Sequence, residues 1–104
     1  MTTQALQDSA LFQTGYLVDG VWKTLDTTFD VVNPATGEVI AKVAKAGTKE
    51  TEEAIAAASR AFPAWRAKTA KERSAILYRW YELIIENKQW LGQLMTTEQG
   101  KPLK

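Results

Sequence analysis

The pattern of apolar and polar positions changes period once along this chain, at Gly47-Thr48. Before that point apolar residues alternate in short pieces, the period of a strand. After it they recur with the 3.6 period of a helix. Residues 1–14 are largely polar with one apolar pair, Leu11-Phe12, and predict an irregular N-terminal arm. Gly15 to Lys23 places β-branched and aromatic residues on either side of Asp19-Gly20, a dipeptide suited to a hairpin turn. A third strand over Phe29–Val32 leads into Asn33-Pro34-Ala35-Thr36-Gly37-Glu38. Proline presets φ in that stretch and glycine accepts a positive φ, so it reads as a turn. A fourth strand spans Val39–Val43, with Val39, Ala41 and Val43 on one face and Ile40 and Lys42 on the other.

Three helices follow. Thr48 is the expected N-cap of the first, with Glu50, Glu52 and Glu53 in its opening turns, where the helix dipole favours acids. Ile55, Ala58, Phe62 and Trp65 form its apolar stripe, and Pro63 is expected to stop or kink it. Thr69-Ala70-Lys71-Glu72 is a capping box that opens the second helix, with Ile76, Leu77, Trp80, Leu83 and Ile84 as its core face. Asn87 is expected to cap the third, with Trp90, Leu91, Leu94 and Met95 inward and Gly100 followed by Pro102 as its stop. The order is an α+β arrangement of short antiparallel strands and then three helices, without internal repeat or linker. So small a sheet needs a further layer. The wide apolar helix faces exceed what these elements cover, so the sequence reads as the beginning of something larger.

Composition narrows the chemistry. The chain has 104 residues, 45% apolar and 24% charged, which fits one folded unit and excludes disorder. It contains neither cysteine nor histidine. Disulfides, Cys/His zinc sites, thiol nucleophiles and Ser-His-Asp triads are therefore excluded. The first base is Lys23, so the N-terminus resembles neither a secretory nor a transit peptide. The longest uncharged stretch, Ser9 to Val18, is too short to span a bilayer. The expected location is cytoplasmic.

The net charge of +1 hides an asymmetry. Residues 1–40 carry one base, Lys23, against the acids Asp8, Asp19, Asp26, Asp30 and Glu38. Residues 60–79 carry Arg60, Arg66, Lys68, Lys71, Arg73 and Arg79 against Glu72 alone. Interleaved aromatics there invite comparison with a nucleic-acid surface. They fall on the apolar stripes, however, so a solvated basic helix face is the preferred reading.

Familiar site motifs are absent. No two glycines stand two apart, which excludes a G-x-G-x-x-G fingerprint. Gly15 and Gly20 have P-loop spacing, but Val21-Trp22 follows where Lys-Ser/Thr is required. Glu82 and Glu86 stand i,i+4 on a helix and read as solvated, and Thr96, Thr97 and Ser74 read as surface hydroxyls.

Three stretches carry a family resemblance: Val32-Asn33-Pro34-Ala35-Thr36-Gly37-Glu38-Val39-Ile40; Ala61-Phe62-Pro63-Ala64-Trp65-Arg66 with Thr69-Ala70-Lys71-Glu72-Arg73; and Met95-Thr96-Thr97-Glu98-Gln99-Gly100-Lys101-Pro102-Leu103. In this order and spacing, with Leu17-Val18-Asp19-Gly20-Val21-Trp22 before them, the sequence resembles the N-terminal part of the NAD(P)-dependent aldehyde dehydrogenase superfamily. Its wording is nearest to the succinate-semialdehyde dehydrogenase branch. The resemblance implies that residues 15–104 are the N-terminal part of a cofactor-binding domain. It implies a parent that oxidises a small aldehyde, possibly succinate semialdehyde, to its acid with NAD or NADP, and that forms a homo-oligomer. The family's nucleophilic cysteine, general-base glutamate and nicotinamide site lie outside the matched stretches. No catalytic or cofactor-binding residue is therefore assigned, and this chain alone is expected to bind no dinucleotide and to be inactive. Its expected partners are the remainder of the dehydrogenase or homologous subunits. The resemblance further implies a monovalent cation held by the backbone carbonyls of Val31 and Val32 and by Glu98, a donor set suited to a hard ion. A rival reading is a small helical interaction module that binds a protein through Trp65, Trp80 and Trp90.

Overall fold

The computed structural model describes residues 2–104. Its elements are α1 (Thr3–Gln7), β1 (Tyr16–Val18), β2 (Val21–Lys23), β3 (Thr28–Val32), β4 (Val39–Ala44), α2 (Thr48–Ala67), α3 (Ala70–Glu86) and α4 (Lys88–Gln99). The order of strands, then helices, is the one the change of period predicts. The strands form two separate antiparallel pairs, β1 with β2 and β3 with β4. Asp19 and Gly20 both take positive φ, 53° and 73°, as a two-residue type I′ turn requires.

The β3–β4 register carries a bulge. Val31 lies opposite Ala41 but Val32 lies opposite Val39, which leaves Ile40 as the extra residue. A bulge re-aims a side chain and frees its backbone from the ladder. Here Ile40 is buried at 2% exposure, and its carbonyl accepts a hydrogen bond from the Gln7 side-chain amide. Gln7 belongs to α1, a five-residue helix where the sequence suggested an irregular arm, so the described residues form four helices rather than three. The Thr2 hydroxyl caps α1 by accepting from the Ala5 N–H at 3.1 Å, and the helix packs on α4. Its Leu6 is the most enclosed large side chain, at 1% exposure. A helix this short has too few residues to show a period, and its stability comes from packing.

Other boundaries differ from expectation for local reasons. Gly47, not Thr48, is the N-cap of α2, and its N–H donates to the Glu50 carboxylate at 2.8 Å. That bond holds the Glu50 pKa below the usual carboxylate range. Helix α2 runs through Pro63 to Ala67. Proline removes one hydrogen bond and crowds the carbonyl four residues back, yet the turn beyond it continues and keeps the Phe62 ring beneath the Arg66 guanidinium, 5.8 Å from the ring centroid. The Thr69–Glu72 box forms as expected, with both of its hydrogen bonds present. Asn87 is the N-cap residue of α4, as expected, and also closes α3; its side-chain amide donates to the Leu83 carbonyl at 2.8 Å instead of capping α4. Gly100, in the left-handed region at φ 77°, terminates α4.

The core differs most from the pattern. Among the described residues the buried apolar side chains are Leu6, Val18, Ile40 and Ala57. Val18 and Ala57 lie where β1 packs on α2. On β4 Ile40 is buried, Ala41 and Val43 are half-buried, and Val39 and Lys42 are exposed. Helix α3 has no buried residue, and Ile76, Leu77, Trp80, Leu83 and Ile84 are all exposed. The radius of gyration is 16.7 Å, against about 13 Å for a compact domain of this length. The accessible surface is 8026 Å², about 2,200 Å² more than a closed monomer of this mass exposes. Among the described residues no helix is long and apolar enough to cross a membrane.

Candidate functional site

Two places bring polar groups from distant parts of the sequence together. The first joins the β1–β2 hairpin to α2. Tyr16 and Lys23 are cross-strand partners, and both reach Glu53. The Tyr16 hydroxyl donates to Glu53 Oε2 at 3.2 Å, and Lys23 Nζ donates to Oε1 at 3.1 Å. The lysine bond holds the Glu53 carboxyl below its ordinary pKa, and the tyrosine bond acts in the same direction. Partial desolvation, aided by the Glu53 charge, raises the phenol of Tyr16. The sequence placed Glu53 among the acids that favour the helix dipole. Its role as the joint between hairpin and helix depends on tertiary placement, which periodicity does not encode. The arrangement is a structural clasp. The one carboxylate is already satisfied by two donors, and nothing pairs with it as a second acid or base.

The second place is the tip of the β3–β4 hairpin. A Cβ added to Gly100 would stand 3.2 Å from Pro34 Cγ, so the end of α4 abuts the turn that follows Val31 and Val32. Asn33 organises that turn. Its side-chain oxygen accepts from the Ala35 N–H at 2.9 Å, its backbone N–H donates to the Glu38 carbonyl, and its carbonyl accepts from the Gly37 N–H. Val31 and Val32 flank the bulge, and Glu98 lies exposed in the last turn of α4. The fold thus brings the two elements carrying the candidate cation ligands side by side.

Other sequence candidates resolve differently. Glu82 and Glu86 lie on a solvent-exposed helix face, as expected, and are paired there. Both accept from Arg79, at 3.4 and 3.1 Å, and the Glu86 bond is the main cause that raises the guanidinium's pKa. Thr97 donates to the Gln93 carbonyl and Thr96 to that of Lys101, so both hydroxyls are used locally. Trp80 is 62% exposed, but Trp65 is at 36% and Trp90 is half-buried, so the three tryptophans do not present equally. The Trp90 indole N–H is enclosed and has no hydrogen-bond partner among the described residues. A groove between the end of α3, α4 and the final residues is lined by the apolar Ile84, Ile85, Leu91, Met95 and Leu103 and by the polar Glu86, Lys88, Gln89, Gln93 and Lys104. Among the described residues no three acidic side chains converge on one point.

Known proteins share this arrangement. The model of the aldehyde dehydrogenase family matches residues 22–104. A glutarate-semialdehyde dehydrogenase of Pseudomonas putida is 59% identical over 100 residues, covering 94% of this chain and 21% of that protein. The NADP(+) succinate-semialdehyde dehydrogenase of Escherichia coli is 50% identical over the same shares. The crystal structure of an aldehyde dehydrogenase from Brucella melitensis biovar abortus superposes with a TM-score of 0.89 at 45% identity, over 94% of this chain and 21% of that one. The chain spans about a fifth of the length of these relatives.

Proposed function

The chain belongs to the aldehyde dehydrogenase family, and from that premise we propose that it is the N-terminal part of an NAD(P)-dependent enzyme that oxidises the semialdehyde of a small dicarboxylic acid, succinate or glutarate. The observation that carries this reading is the 59% identity, across nearly the whole chain, with a glutarate-semialdehyde dehydrogenase. Residues 15–104 are read as one edge of the cofactor-binding domain. The chain has no cysteine, so the thiolate that attacks the aldehyde and the site that takes the hydride belong to the remaining four fifths of such an enzyme. The same remainder and neighbouring subunits cover the exposed faces of α2 and α3, in a cytoplasmic homo-oligomer. The rival interaction-module reading draws no support from the tryptophans, which do not form one exposed patch.

The test is a chimera in which this chain replaces the matching fifth of the Pseudomonas putida enzyme. Turnover of glutarate semialdehyde within about tenfold of the parent is expected, while the chain alone gives none. A soluble chimera without activity, or turnover by the chain alone, overturns the proposal. Within it we place a monovalent cation on the carbonyls of Val31 and Val32 and the carboxylate of Glu98. Support comes from the bulge at those valines and from the contact of α4 with the Pro34 turn. In the chimera, Glu98→Ala should reduce the gain in thermal midpoint that KCl gives over an equal concentration of tetramethylammonium chloride. An unchanged gain removes the site.

A further inference from the structure

We draw no further inference here: the strongest candidate, the apolar surface that α3 exposes around its circumference from Ile76 to Ile85, carries none, because the rest of the proposed dehydrogenase accounts for it and nothing in the structure shows another occupant.

Discussion

Leu6 provides the sharpest test of how this chain holds together. It is 1% exposed on a five-residue helix, and it sits where α1 packs on α4, with the neighbouring Gln7 bonded to the bulged Ile40. Removing its side chain beyond Cβ takes away burial that few other residues provide. Leu→Ala at enclosed sites costs about 2–5 kcal/mol. This site lies under a short helix that can settle inward, so the lower half of that range, about 3 kcal/mol, is the expected loss. With a urea slope of about 1.5 kcal/mol per molar, the midpoint should fall by about 2 M. The assay is urea unfolding followed by far-UV dichroism, with Leu11→Ala as control. Leu11 is 47% exposed, and its truncation should cost no more than about 0.5 kcal/mol. Equal shifts for the two variants would refute the claim that α1 clasps β4 to α4.

Two further outcomes test the hairpin joint. Gly15→Ala should loosen the β1–β2 hairpin by about 1–3 kcal/mol, because the new Cβ would lie 2.2 Å from the Lys23 carbonyl oxygen; amide exchange across Tyr16–Lys23 reads it, and unaltered protection contradicts it. Glu53→Gln tests the clasp by pH. Since Lys23 and Tyr16 depress the Glu53 pKa in the folded chain, its contribution is fully present above the ordinary carboxylate value of 4.5 and is lost as pH falls through the folded value. The gap in urea midpoint between wild type and Glu53→Gln should close on acidification from pH 6 to 3, and a constant gap refutes the assignment.

The turns were legible because their chemistry is local. Asp19-Gly20, the Asn33–Gly37 turn, the Thr69–Glu72 box and the Gly100 stop each depend on the φ preferences or hydrogen bonds of a few adjacent residues. What escaped depends on distant partners. Helix α1 exists through its contact with α4, and the burial of Ile40 depends on a bulge that shifts the register by one residue, which moves a side chain to the other face. The continuation of α2 through Pro63 shows a local preference outweighed by the helix around it.

The misread core and the absent chemistry have one physical cause. A 3.6 period reports which side of a helix is apolar, and it is silent on whether anything lies against that side. Ile76, Leu77, Trp80, Leu83 and Ile84 form a good core face on α3, yet all five stand exposed. A monomer that leaves about 2,200 Å² of excess surface open gives up part of the apolar burial that drives folding. Comparable areas are buried in permanent interfaces, which resemble a domain core cut in half. The sequence therefore specifies these helix faces as a surface to be covered. Family membership could be read from three turn and helix motifs held in register. The proposed reaction could not be read from the residues themselves, because these 104 residues include no cysteine to supply the thiolate it needs.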